Sequence, residues 1–87
     1  MPLISFFYGI YVYMYFADHG RAHIHVKYAE YKAKIDIESQ TIIKGKLPIR
    51  ALKLLEEWIE LHKSELYENW KLTNELGLSP KKIEPLD

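Results

Sequence analysis

Apolar and polar residues alternate along the first half of the chain, a pattern typical of half-buried β-strands. The clearest run is Tyr8 to Phe16 (YGIYVYMYF), where one face is apolar and the other carries tyrosines, with Gly9 near the start allowing a bend. Two more strands are predicted at His23 to Tyr28 and Lys32 to Glu38, and a short apolar stretch follows at Ile42-Ile43. Because the connections are too short for parallel crossovers, the segments predict an antiparallel meander of three or four strands. The expected core-facing positions are Ile10, Val12, Met14, Phe16, Ile24, Val26, Tyr28, Ala33, Ile35 and Ile37.

The second half of the chain predicts a helix from Pro48 to Leu76, with Gly77 as its C-terminal cap. Apolar residues recur there at spacings of three and four, as on one face of a helix. An unbroken helix of this length would span about 40 Å at about 1.5 Å per residue, so we expect it to overhang or to bend near His62-Lys63-Ser64, where Ser64 can cap a second segment. The stripe comprises Leu52, Leu55, Ile59, His62, Leu66, Trp70 and Thr73, so His62 is expected at the boundary of the core.

These elements predict an α+β fold in which an N-terminal antiparallel sheet of three to four strands packs on one long or broken C-terminal helix. The chain of 87 residues is expected to form one domain, because it is too short for two independent cores. Residues 1–45 are assigned to the meander, 48–76 to the helix and 79–87 to an extended tail.

Composition narrows the functional classes. Twelve Lys and Arg balance twelve Asp and Glu, so a nucleic-acid site would have to come from a local patch. Cysteine is absent, which excludes disulfides and thiolate chemistry. The longest apolar run, Leu3 to Ala17, is too short for a membrane span and lacks the features of a secretory signal. We expect a soluble, cytoplasmic protein without a membrane partner, and no motif implies a cofactor.

The first candidate for chemistry is a histidine cluster, in which His19, His23 and His25 lie beside Asp18. His23 and His25 are two residues apart on a predicted strand, so both imidazoles should project from the same face. Such a pair can transfer protons or contact nucleic acid, and with a carboxylate or a third histidine it can bind a metal ion. It can equally be a pair of exposed strand residues without a function.

The second candidate is the outer face of the sheet, opposite the helix, where tyrosines and cations meet. Rings and cations on an open sheet suit single-stranded nucleic acid, since bases stack on rings and phosphates meet the charges. The same tyrosines suit a protein partner, because each offers a large area with a polar tip. The expected surface comprises Tyr11, Tyr13, Tyr15, His23, His25, Lys27, Lys32 and Lys34.

Several separated blocks resemble one family of short bacterial proteins, the domain of unknown function 4160. They are the opening MPLISFFYGIYVYMYF, the segment HGRAHIHVKYAEYKAKIDI, the block KGKLPIRALKLLEEWIELHKSELYENW and the closing PKKIEPLD. The resemblance implies a toxin component of a toxin–antitoxin module, a label that such proteins often carry, but it implies no catalytic residue. Ala22 stands where such proteins often have a proline.

Three functional hypotheses follow. The first is a toxin-type protein that binds or cleaves RNA, in which His23 and His25, with Asp18, would act as the base for the 2′-hydroxyl and the acid for the leaving oxygen. Arg21 or Lys27 would then stabilise the charge on the phosphate. The second is a non-enzymatic module that binds a small antitoxin-like protein or a second copy of itself through the tyrosines. The third is a metal-binding domain that uses His19, His23 and His25.

Overall fold

The computed structural model describes residues 2–87, in which five strands precede one helix. The strands pair in sequence order, each antiparallel to the next, so the sheet is a simple meander. The α+β class is confirmed, with one strand more than the upper prediction. The elements are β1 (Leu3–Phe7), β2 (Ile10–Tyr13), β3 (His23–Tyr28), β4 (Tyr31–Asp36), β5 (Ile42–Gly45) and α1 (Ile49–Asn74).

The additional strand arises because the run predicted as one strand from Tyr8 begins with a hairpin turn. Tyr8 and Gly9 have φ values of 49° and 81°, and they connect β1 to β2. A two-residue hairpin with both central residues in the left-handed region matches the twist of the strands that it joins. The prediction of a strand over Tyr8 to Phe16 is therefore too long at both ends, since β2 stops at Tyr13.

The core lies between one face of the sheet and α1. Most residues predicted to face it on β2, β3 and β4 are buried, including Val12, Ile24 and Ile35, which have no exposed surface. The prediction is wrong for Phe16, which is 44% exposed because β2 ends at Tyr13 and the alternation stops there, and Tyr28 is only half-buried. Trp58 from α1 is also fully buried and lies with its ring centroid 5.3 Å from that of Phe7. The helix therefore covers the apolar face, and the tyrosine face of β2 is left on the other side.

The helix bends where the sequence predicts it. His62 has φ −121° and ψ 23°, which are not helical values, although the helix continues on both sides. The ring of His62 packs against Trp58 with the centroids 5.6 Å apart, and its Nδ1 lies 2.6 Å from Glu65 Oε1. Ser64 is exposed, and the bend itself lies at His62. Gly77, with φ 66°, follows the end of the helix as predicted.

The tail of residues 79–87 contains neither helix nor strand and packs on the core. The backbone N–H of Ile83 donates to the carbonyl of Ile4 over 2.8 Å, and the side chain of Ile83 is 4% exposed. Asn69 exchanges two hydrogen bonds with the backbone of Lys81, and Trp58 Nε1 donates to the carbonyl of Glu84. The tail therefore holds the second half of α1 and the edge of β1 together. No helix within residues 2–87 is long and apolar enough to cross a membrane.

Candidate nucleic-acid interface and histidine cluster

The register of the sheet aligns the polar face into two rows. In one row, Tyr13 on β2 pairs with His25, then Lys34, then Lys44 on β5. In the other, Phe6 on β1 pairs with Tyr11, then Lys27, then Lys32. Paired residues in an antiparallel sheet point to the same face. The register therefore places aromatic rings on β1 and β2 beside lysines on β3, β4 and β5.

The aromatic side forms a continuous ladder. The ring centroids of Tyr11 and Tyr13 are 6.5 Å apart, as are those of Tyr13 and Tyr15. Tyr15 stacks on His25 at 4.1 Å, and Phe6 lies 4.5 Å from Tyr11. Phe6 is missing from the residues predicted for this face, because β1 was not recognised as a strand. The apolar run of Leu3 to Phe7, read together with a turn at Tyr8-Gly9, could have revealed it.

The cationic side borders a shallow cavity of about 590 Å³. The predicted residues Lys27, Lys32 and Lys34 line it together with Tyr13, Tyr15 and His25. Lys44 also lines it, although it is not among the residues predicted for this face, because the apolar signal for the fourth strand covers only Ile42-Ile43. Among residues 2–87, no carboxylate lines this cavity. A chain without net charge thus carries a local cluster of four lysines.

The histidine cluster lies at one end of this face. Its members are Asp18, His23 and His25, and their ligand atoms all lie within 4.8 Å of one another. Asp18 Oδ2 is 2.7 Å from His25 Nε2 and 3.0 Å from His23 Nε2. His19 is exposed and does not belong to the group. The three residues brought together are those of the acid–base hypothesis, whereas the alternative set of His19, His23 and His25 is not brought together, since Asp18 takes the place of His19.

His23 is buried, with 1% of its side chain exposed, which contradicts the expectation that it stands on the open face. The reason is the length of β2, which ends at Tyr13 opposite His25 and leaves His23 without a neighbour on that strand. Asp18 and Arg21, both in the segment of residues 14–22, contact its ring nitrogens, and the indole of Trp70 packs on the imidazole at a centroid distance of 5.0 Å. His25 and Asp18 remain 22% exposed.

The loop that carries Asp18 is anchored to α1. The backbone N–H of Asp18 donates to Asn74 Oδ1 over 2.6 Å, and Ala17 before it takes a left-handed φ of 50°. Partial burial opposes ionisation of Asp18. The hydrogen bonds and charges of His25 and His23 outweigh this effect and lower the pKa of the carboxyl below its ordinary value. Asp18 is therefore a carboxylate at neutral pH.

Arg21 does not line the lysine cavity but borders a second cavity together with Lys34. Its guanidinium Nε is 3.1 Å from Asp36 Oδ1, and this carboxylate also accepts hydrogen bonds from the backbone N–H and the hydroxyl of Ser39. Asp36 is buried, with 3% of its surface exposed. Arg21 thus neutralises a buried carboxylate, and the structure does not bring it to the lysine cavity.

Fold and site together define a small α+β domain with an aromatic and cationic sheet face and a histidine–aspartate cluster at one end of it. The model of the family described as domain of unknown function (DUF4160) matches residues 9–71. The chain belongs to this family, as the sequence resemblance indicated. Comparison with curated proteins and with solved structures finds no match.

Proposed function

We propose that the protein binds single-stranded RNA on the open face of the sheet. The observation that carries this proposal is the pair of cross-strand rows, which place Tyr11 and Tyr13 directly beside Lys27 and His25. Bases stack on aromatic rings with little dependence on sequence, and lysines neutralise the phosphates that connect them. The face offers both groups within one strand spacing, about 4.8 Å.

The size of the face suits a short segment of RNA. From β2 to β5 there are three strand spacings, which amount to about 14 Å. A sheet of comparable width in RNA-recognition domains stacks two or three bases. We therefore expect two or three nucleotides to contact the face, with bases toward the tyrosines and phosphates toward the lysines.

The geometry favours binding over cleavage by a pair of imidazoles. An acid and a base must both reach the reacting phosphodiester, but His23 is buried and both of its ring nitrogens lie within 3.0 Å of protein oxygens. His25 is the member of the pair that reaches the cavity. In the proposed function the tyrosines and lysines therefore hold RNA, and His25 contributes a ring to the surface.

A toxin-type role for the protein in a toxin–antitoxin pair is consistent with such binding, since occupying cellular RNA would arrest growth. This role places the protein in the cytoplasm. Induced expression in a bacterial host would test it: growth arrest by the unaltered protein and its relief by Tyr13→Ala are expected. Normal growth with the unaltered protein would end the toxin hypothesis without affecting RNA binding.

The direct test is fluorescence anisotropy with a fluorescein-labelled octauridine. Removing a stacking ring costs about 1–3 kcal/mol per base, so Tyr13→Ala should weaken binding between about 5-fold and 150-fold. Tyr67→Ala is the matched control, because Tyr67 is an exposed tyrosine on α1. Equal affinity of Tyr13→Ala and the unaltered protein, with the fold verified by circular dichroism, would contradict RNA recognition by this face.

A protein partner is the second candidate, favoured by the exposure of Phe6 (48%) and Tyr11 (39%) on adjacent strands. Exposed aromatic clusters are typical of protein interfaces. Light scattering of the protein, alone and with the product of the neighbouring gene, distinguishes a second copy from a small antitoxin-like protein. A monomer that gains no mass from this product would remove the candidate.

A further inference from the structure

Three potential metal ligands converge at the end of β3. Asp18 Oδ2 lies 2.7 Å from one imidazole Nε2 and 3.0 Å from the other. Two ligands that bind one ion at about 2.1 Å and at a right angle lie about 3.0 Å apart. These two separations are close to that of adjacent ligands around a single ion, and all three ligand atoms lie within 4.8 Å of one another.

The hydrogen bonds of His23 indicate which of its nitrogens is free to bind an ion. Its Nδ1 lies 2.6 Å from the carbonyl oxygen of Arg21, which can only accept, so Nδ1 carries the proton. In a neutral imidazole Nε2 then has a lone pair, and this lone pair faces the carboxylate of Asp18. Two acceptors facing each other repel unless a cation lies between them. A backbone carbonyl on the outer nitrogen is also the usual support of a metal-bound histidine.

Packing fixes the three side chains before any ion arrives. Trp70 lies against the ring of His23, and Tyr15 stacks on His25 at 4.1 Å. The hydrogen bond from its backbone N–H to Asn74 holds Asp18. Side chains held by packing and by surrounding hydrogen bonds lose little freedom on binding a ligand, so such a site is preorganised.

We propose that Asp18 Oδ2, His23 Nε2 and His25 Nε2 bind one divalent transition-metal ion. Two imidazole nitrogens and one carboxylate oxygen suit zinc, iron(II), cobalt(II) or manganese(II), and three protein ligands leave coordination positions for water or an external ligand. His25 and Asp18 are 22% exposed, which gives the ion a path from solvent. The site shares His25 with the sheet face proposed to hold RNA, but none of its ligands is one of the lysines or tyrosines that would contact phosphates and bases.

The test is calorimetric titration of the chelator-treated protein with Zn²⁺, together with the visible absorption of the Co²⁺ form. One ion per chain is expected. Asp18→Ala and His25→Ala should each weaken Zn²⁺ binding by about 100-fold or more, the upper end of the loss seen even for supporting residues. His19→Ala is the matched control, since His19 is a neighbouring histidine outside the cluster, and it should bind as the unaltered protein does.

Imidazole ¹⁵N spectra of the unaltered protein decide the matter if a variant fails to fold. On addition of Zn²⁺ the Nε2 resonances of His23 and His25 should shift, while those of His19 and His62 stay in place. The proposal would be overturned if the protein bound no Zn²⁺, Co²⁺ or Mn²⁺ and both ring nitrogens of His23 were protonated. The proton on Nε2 would then provide the positive charge beside Asp18. Binding that is lost only in His19→Ala would overturn it as well. No RNA is present in either experiment, so the result is separate from that for RNA binding.

Discussion

Removing two of the four lysines on the open face should halve the salt dependence of RNA binding. For single strands, the logarithm of the binding constant falls with the logarithm of salt concentration by about 0.7 per neutralised phosphate. Four lysines that each meet one phosphate give a slope of about −2.8. Lys32 and Lys44 are exposed on β4 and β5, so the double variant Lys32→Gln, Lys44→Gln should show a slope of about −1.4 with little change in the fold.

The slopes predict an effect that anisotropy can measure. Between 50 and 200 mM salt, the unaltered protein should lose about 50-fold in affinity for octauridine and the double variant about 7-fold. Lys53→Gln, Lys71→Gln changes the net charge by the same amount on α1, where both lysines are exposed. This control should keep the original slope. Equal slopes for the two double variants would refute local recognition and leave only an effect of net charge.

Three further predictions concern the scaffold. Ile83→Ala should lower the free energy of unfolding, measured by urea titration, by about 2–5 kcal/mol, because the side chain of Ile83 is buried. The control Glu84→Ala should change this free energy by less than about 0.5 kcal/mol. Similar values for both variants would contradict docking of the tail. Gly45→Ala should destabilise β5 and expose its amides to hydrogen exchange, since φ is 89° and a Cβ would lie 2.1 Å from a backbone oxygen of β4; unchanged protection would refute this. Tyr67 donates to Glu38 over 2.5 Å, and this hydrogen bond, followed by burial, raises the pKa of Tyr67 to about 12. The same hydrogen bond and the positive charge of Lys63 lower the pKa of Glu38, and they outweigh the negative charge of Asp36, which raises it. Because the pKa of Tyr67 is raised on folding, this residue stabilises the fold fully below its unfolded-state pKa of 10.0, and the stabilisation is lost as pH rises toward about 12. Because the pKa of Glu38 is lowered on folding, this residue stabilises the fold fully above its unfolded-state pKa of 4.5, and the stabilisation is lost as pH falls through its folded-state pKa. The melting temperature of Tyr67→Phe should therefore lie below that of the unaltered protein, by an amount that is constant near neutral pH and smaller at very low and very high pH. A difference in melting temperature that does not depend on pH would contradict the assignment.

Local patterns were sufficient to predict most of the fold. The alternation in β2, β3 and β4 identified the buried face, because a strand with one buried face leaves a period of two in its sequence. The spacing of three and four located α1, and its length relative to so small a domain predicted the bend found at His62. The missed strand β1 precedes a turn that begins with a tyrosine in the left-handed region, which residue preferences alone do not indicate.

The candidate site depended on contacts between distant segments, and here the sequence was less informative. The burial of His23 results from the end of β2 and from Trp70, which lies 47 positions further along the chain. Asp18 enters the cluster because its loop is tied to Asn74. Neither contact leaves a local signal, so the histidine at position 19 was an equally reasonable third member. The lysines of β3 and β4 were predicted because strand alternation alone places them.

Chemical-shift mapping tests the central claim most directly, namely that the open sheet face receives single-stranded RNA. Amide spectra of the ¹⁵N-labelled protein would be recorded during a titration with unlabelled octauridine. Shifts should concentrate on the rows from Tyr13 to Lys44 and from Phe6 to Lys32, and leave the exposed side of α1 unchanged. Chemical-shift changes confined to α1 or the tail, or the absence of any change at low salt, would contradict RNA binding by the sheet face.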